Sequence, residues 1–258
     1  MPKLSVRNVS KSYPNGNNGV IEVLNDISFD VNEGELLCIL GPSGCGKTTL
    51  LKIIAGLLEP DEGQIFIDDK EVQPGHNRVG YIFQQESLFP WRTVKQNIEF
   101  GLEISNINSV ELTSRVEEII EIVGMTGLED NYPHEVSGGQ ARKTEMARSL
   151  VVSPAILVAD EALSNLDAQT RNYLQEEFLR VRESTGSTII FVSHNVDEAV
   201  FMGDRILVLS NIPATILVEY DVMIPKPRNR TSQECLEYRS KILEVLRVEQ
   251  EKAMSRAR

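Results

Sequence analysis

Cysteine is scarce in this chain of 258 residues: there are three, Cys38, Cys45 and Cys235. An odd number, widely spaced and with no C-x-x-C pair, supports neither a disulfide framework nor a zinc site and fits a reducing compartment. Long apolar runs are missing too. No stretch approaches the roughly 18 unbroken apolar residues of a membrane-spanning helix. The longest candidate, Ile206 to Val218, is cut by Ser210, Asn211 and Pro213. The opening Met1-Pro2-Lys3-Leu4-Ser5 lacks the apolar core of a secretory leader, so none is expected. Positive charge is in deficit as well, with 26 Lys and Arg against 38 Asp and Glu, a formal net charge of −12. Such a chain repels phosphate backbones, which argues against nucleic acid as a partner. Any phosphate ligand must be held locally.

What is present is enough to bury a full core, since 41% of the residues are hydrophobic. Leu4 to Val9 and Val20 to Val31 show short alternating apolar patterns around the turn-rich Pro14-Asn15-Gly16-Asn17-Asn18-Gly19, which predicts antiparallel strands. Leu36 to Leu40 is a continuous apolar run between Gly34 and Gly41, the pattern of a strand buried on both faces, and Thr48 to Leu58 has helical apolar spacing. Further apolar runs at Val79 to Phe83, Ala155 to Ala159, Thr188 to Val192 and Arg205 to Leu209 alternate with helical patterns. They predict an α/β fold with a mostly parallel sheet and helices on both faces. The long segment from about Gln85 to Val152 reads as helical throughout; in it Leu112, Val116, Ile119, Ile120 and Val123 form an amphipathic stripe. From Asp221 onward, Pro225, Pro227 and a helix over about Ser232 to Lys252 make a separate extension.

Gly41-Pro42-Ser43-Gly44-Cys45-Gly46-Lys47-Thr48 fits G-x-x-x-x-G-K-[ST] and sits between a buried strand and a helix, as that motif requires. Its glycines let successive N–H groups point at an anion, and the helix start adds the positive end of its dipole. Lys47 then neutralises β and γ phosphates, the Thr48 hydroxyl can ligate Mg²⁺, and Thr49 belongs to the same helix start. A triphosphate site needs a metal-holding carboxylate, and Asp160 supplies one at the end of the run Ile156 to Ala159. The adjacent Glu161 is placed to accept a proton from an attacking water. Without the glycine loop, the same Asp-Glu pair would read as charges at a helix N-terminus. Val136-Ser137-Gly138-Gly139-Gln140 opens a second helix whose Ser137 and glycine N–H groups form another anion-binding terminus. A γ-phosphate could lie between the two termini only if two copies met head to tail.

Together these motifs resemble the ATP-binding subunit of an ABC transporter. Val136 to Gln140 resembles the family signature L-S-G-G-Q, with Val for Leu. Gln84 matches the glutamine after the apolar strand, Ser164-Asn165-Leu166-Asp167 the dimer loop, and Ser193-His194 the switch histidine; Tyr13 falls where the family stacks an aromatic on adenine. Taken singly, Gln84 and His194 read as ordinary polar residues at strand ends and Tyr13 as a surface aromatic; the joint spacing over roughly residues 3 to 220 favours the family. The resemblance implies a P-loop NTPase core over residues 1–84 and 153–220 with an N-terminal antiparallel β subdomain, an inserted helical subdomain over 85–152, and a C-terminal extension over 221–258. It further implies two subunits enclosing two MgATP, each bound by Gly41 to Thr48 of one copy and Ser137 to Gly139 of the other. In that picture Gln84 senses Mg²⁺ and the lytic water, His194 contacts the γ-phosphate and Asp167 couples the two sites. The chain then works as a homodimer on the cytoplasmic face of the membrane, with two permease subunits and an extracytoplasmic substrate-binding protein.

Three residues depart from the family pattern: Ala162 for the Pro after the catalytic carboxylate, Lys143 for an Arg, and Glu145 after Thr144 where small or branched apolar residues are usual. Ala162 loses a fixed φ, and Lys143 forfeits a bidentate fork. Glu145 has Arg142 and Arg148 three positions away as possible partners. Ser87-Leu88-Phe89-Pro90-Trp91 carries the only Trp, which either anchors an interface with a membrane subunit or packs within the helical domain. Motifs of this kind describe the motor and not the cargo. The tail from Ile224 and the Leu88-Phe89-Pro90-Trp91 segment resemble importers of the nitrate, sulfonate and taurine class, pointing to uptake of a small anion. The alternative is a non-transport ABC ATPase acting as a slow assembly switch, but such proteins usually join two cassettes or carry long coiled-coil insertions.

Overall fold

Leu4, Val6 and Val9 are wholly buried on the first strand, although their spacing changes from two to three. A bulge explains the change: the register of β1 (Leu4–Asn15) against β2 (Gly19–Val31) shifts between Val6 and Val9, where Asn8 takes φ 49°. One extra residue keeps Val9 on the inner face. The computed structural model describes residues 1–16, 19–103 and 109–256. It divides into two compact units, Met1–Asn77 with Thr188–Arg258, and Arg78–Ser187.

In the first unit, β1 and β2 pair antiparallel as expected, the strands reaching closer to the turn than the sequence pattern implied. β3 (Leu36–Leu40) is buried at all five positions, and α1 (Lys47–Ile54) follows it. That helix ends before Leu58 because Gly56 adopts φ +69°, a left-handed stop, and Leu57 and Leu58 direct their N–H groups back to Lys52 O. β4 (Glu62–Ile67) pairs with β1 and β5 (Lys70–Glu71) with β4, completing a sheet of order β2-β1-β4-β5.

The second unit opens with β6 (Val79–Ile82), followed by α2 (Val94–Glu103), α3 (Ser109–Ile122) and α4 (Gly138–Leu150). Val116, Ile119, Ile120 and Val123 are buried, as the stripe required. The span from 85 to 152 is not helical throughout: residues 83–93 are irregular, and a single 3₁₀ turn, Pro133–Glu135, precedes α4. The irregular backbone is satisfied by side chains instead, as described below. β7 (Ile156–Asp160) runs parallel to β6, with Val79 opposite Ile156 and Ile82 opposite Ala159, and α5 (Ala168–Thr185) closes the unit.

Back in the first unit, β8 (Ile189–Val192), α6 (Val196–Met202), β9 (Arg205–Leu209), β10 (Ile216–Asp221) and α7 (Gln233–Arg256) follow. β3 lies between β8 and β9, parallel to both, while β10 is antiparallel to β9. Among the described residues no helix is long and apolar enough to cross a membrane. The extension is docked by Arg228, whose guanidinium donates to the carbonyls of Val200, Phe201 and Gly203 at the end of α6 and to Val222 and Ile224. Lys226 pairs with Asp204 at 2.5 Å, and Arg239 with Asp197 at 2.7 Å.

Candidate functional site

The loop 41–48 is shaped by its backbone. Gly44 and Gly46 take φ 77° and 108°, conformations that glycine adopts at little cost, and the Cys45 N–H closes a tight turn onto Pro42 O at 3.3 Å. A Cβ on Gly46 would come within 2.8 Å of Val23 Cγ1. Gly46 caps α1 with no side-chain hydrogen bond, and the first turn of α1 holds no acidic residue. Lys47, 5% exposed, folds over the loop and donates from Nζ to the carbonyls of Gly41 and Pro42, each at 2.9 Å. Cys45 is buried, Ser43 and Thr48 are exposed, and Thr49 is half-buried. A glycine-shaped loop, a helix start free of acidic residues and a fixed ammonium fit a polyphosphate.

Elsewhere in this unit His194 is exposed between β8 and α6. The backbone around it is fixed: Ser193 accepts the Asn195 N–H at 2.9 Å and donates to Glu198, and the Asn195 side chain caps α6. Tyr13, 37% exposed, lies towards the end of β1 opposite Ile21, with Lys11 Nζ 5.9 Å from its ring centre.

In the second unit Asp160 ends β7, is 4% exposed, and accepts the Tyr81 hydroxyl at 3.0 Å. Burial first, then the Asp160 carboxylate, push the Tyr81 phenol far above its ordinary range, so it stays a donor. Glu161 is in no helix: it takes φ 46°, unusual for a residue with a side chain, in a turn closed by Ser164 N–H to Glu161 O at 3.1 Å. The reading of these acids as a helix N-terminal pair is thereby removed, because α5 begins at Ala168. The Gln84 amide donates to Glu161 Oε2 at 3.0 Å, so the glutamine and the candidate base are in contact. Asp167 caps α5, accepting the N–H groups of Gln169 and Thr170, each at 3.0 Å. Hydrogen bonds from Thr170 above all hold its carboxyl below the ordinary value.

Ser137 caps α4 and forms a reciprocal box with Gln140: Gln140 Oε1 accepts the Ser137 N–H at 2.8 Å and Ser137 Oγ the Gln140 N–H at 3.3 Å. Ser137 and Gly138 are exposed, whereas Gly139 is buried beside Thr170, and the first turn holds no acid. Among the described residues no group of three His, Cys, Asp or Glu gathers as a metal cage. A single buried carboxylate such as Asp160 is compatible with Mg²⁺, which takes one or two carboxylates and otherwise phosphate oxygens and water.

Tyr81 went unnoticed in the sequence: its place in β6 marked a strand residue and gave no hint of its hydroxyl's partner. Glu145 pairs with Arg142 at 2.6 Å, one of its two anticipated partners, and also reaches Ser87. Lys143 makes single contacts, with Glu177 at 2.5 Å and the Tyr173 hydroxyl at 2.8 Å. Trp91 is 70% exposed and does not pack in the helical core; Phe89, 5.6 Å away, shares a ring contact with it.

The family model described as "ABC transporter" matches residues 24–164. The chain is 47% identical to an uncharacterized ABC transporter ATP-binding protein of Methanocaldococcus jannaschii, over 96% of this chain and 92% of that one. It is 40% identical to an aliphatic sulfonates import ATP-binding protein of Bacillus thuringiensis, over 93% and 94% of the two chains. Among solved structures, a dimeric post-hydrolysis ATP-binding cassette bound to ADP and phosphate superposes with a TM-score of 0.72 at 27% identity, covering 86% of this chain and all of that one.

Proposed function

Since the chain belongs to the ABC transporter family and is an ATP-hydrolysing cassette with the P-loop NTPase fold, we propose that it drives an importer of a small anion of the nitrate, sulfonate or taurine type. It would act at the cytoplasmic face of the membrane as a homodimer bound to two permease subunits, with cargo delivered by an extracytoplasmic binding protein. The sulfonate-import relative supports this cargo class, and the exposed Trp91 supports a docking anchor beside the Gln84 loop. In this reading residues 1–84 with 153–220 are the ATP-binding core, 85–152 the helical subdomain and 221–258 an extension.

The loop 41–48 binds and orients the triphosphate through backbone N–H groups and Lys47. Mg²⁺, which Thr48, Asp160 and Gln84 would hold, supplies charge neutralisation at the β and γ phosphates. Glu161 takes the proton of the attacking water while Gln84 orients that water and His194 contacts the γ-phosphate. Tyr13 stacks on adenine. Ser137, Gly138, Gly139 and Gln140 of a second copy complete the site, and Asp167 couples the two sites. The observation that carries the hydrolytic reading is Glu161 itself, held in a left-handed conformation with the Gln84 amide 3.0 Å from its carboxylate.

Mixing copies bearing Lys47→Ala with copies bearing Ser137→Arg tests the head-to-tail arrangement. Each parent is dead, and the mixture recovers one intact site per heterodimer; a mixture as inactive as its parents contradicts the arrangement or requires both sites at once. Recovery of the tagged chain from its native membrane together with two multi-spanning proteins tests the transport role. Purification of the chain alone after gentle solubilisation would favour the assembly switch.

A further inference from the structure

Glu145 is a buried acid on the helix that carries the Ser137 cap. It is 1% exposed, on the inner side of α4. A carboxylate at that depth persists only when it is paired and hydrogen-bonded, and as a stabilising device it does no better than an apolar side chain of similar volume. What an apolar residue cannot do is hold backbone groups that lack a secondary-structure partner.

The loop after β6 has such groups. Glu145 Oε1 accepts the Ser87 N–H at 2.5 Å and the Ser87 hydroxyl at 3.0 Å, while Oε2 accepts Arg142 at 2.6 Å. Arg142, 4% exposed, donates in turn to the carbonyls of Phe83 at 2.8 Å and Gln84 at 3.0 Å. Arg148 donates to Ser87 O at 2.8 Å and Ser87 Oγ at 2.5 Å. Three side chains of one helix thus fix four backbone groups between residues 83 and 87, and the helix is the one that Ser137 caps.

We propose that Glu145 is a positioning residue for ATP hydrolysis: by orienting Arg142 and gripping Ser87 it fixes the backbone of Gln84, whose amide meets the Glu161 carboxylate. The proposal rests on the reading of Glu161 as proton acceptor. It gives the departure from small apolar residues at this position a function, a rigid tie between the signature helix and the hydrolytic glutamate.

The test uses the full-length chain with MgATP and the variants Glu145→Gln, Ser87→Ala, Gln84→Ala and the double variant Glu145→Gln/Gln84→Ala. Glu145→Gln should lower kcat roughly tenfold or more, the size expected when a catalytic group is displaced by a fraction of an ångström, with KM for ATP within about twofold. Ser87→Ala should lower kcat less, in the same direction, and carries the test if Glu145→Gln folds poorly. In the Gln84→Ala background Glu145→Gln should add little, because both act through one group. Unchanged kcat per folded molecule in both Glu145→Gln and Ser87→Ala, with only the melting temperature lowered, would overturn the proposal, as would full additivity with Gln84→Ala. Near-normal turnover by Glu161→Gln is a separate failure: it removes the proton acceptor and leaves the coupling of Glu145 to Gln84 still measurable.

Discussion

Around Lys47 the chain shapes itself with its own backbone: two glycines at positive φ, a helix start, and an ammonium folded onto carbonyls five and six residues back. Between Phe83 and Ser87 the chain is held from outside, by guanidinium and carboxylate groups on a helix 58 to 61 residues further along. The phosphate loop is rigid because of what it is made of, and the glutamine loop because of what grips it. A loop of the first kind can bind an anion unaided. One of the second kind reports on the helix that holds it, which suits a segment proposed to lie between a membrane partner and Glu161, the proposed proton acceptor.

The contrast predicts different sensitivities. Arg142→Ala removes the donor to the Phe83 and Gln84 carbonyls and leaves Glu145 buried without its ion-pair partner, so it should cost about 3–5 kcal/mol of stability, measured by urea unfolding. A cost below about 1 kcal/mol would mean that the cluster is not a buried scaffold. Gly46→Ala breaks the backbone-built loop by a different route. Its φ of 108° and a Cβ contact of 2.8 Å to Val23 strain the folded state, and a loss of about 1–3 kcal/mol with weakened nucleotide binding is expected. Wild-type affinity and stability in that variant would show that the loop does not need this conformation.

The smallest effect concerns the turn that carries Glu161. Ala162 follows Glu161 in the turn closed by Ser164, a position where Pro is favoured in ordinary turns, and it is wholly buried. Ala162→Pro should keep or raise kcat and add up to about 1 kcal/mol of stability by restricting the unfolded chain. Loss of both would show that this turn has no room for the ring.

Much of this division was legible in advance because it follows locality. The loop 41–48 encodes its conformation in eight consecutive residues, and β3 announces its burial by five consecutive apolar ones. The Ser137 cap and the α3 stripe are likewise short-range patterns. What escaped depends on residues brought together by packing. The stretch 85–93 was expected to be helical but is irregular, and side chains from elsewhere supply donors to its carbonyls, Arg148 to Ser87 and Asn97 to Phe89. The Glu145–Arg142 pair was visible as a spacing of three, but nothing in the sequence tied either residue to Ser87. The bond from Tyr81 to Asp160 spans 79 positions and follows from the parallel register of β6 on β7. The exposure of Trp91 was undecidable from composition, since an aromatic after a proline suits a core or an interface equally well.

The central claim is that Glu161, held by its strained turn and by the Gln84 amide, performs the hydrolytic proton transfer. Glu161→Gln keeps the shape of the side chain and removes its basicity. Steady-state ATP turnover by the purified variant should fall by on the order of 10² to 10⁴, the usual size of a lost general base, while ATP binding persists and an ATP-stabilised dimer appears on size exclusion. Turnover close to that of the wild type, with ATP bound normally, would contradict the account.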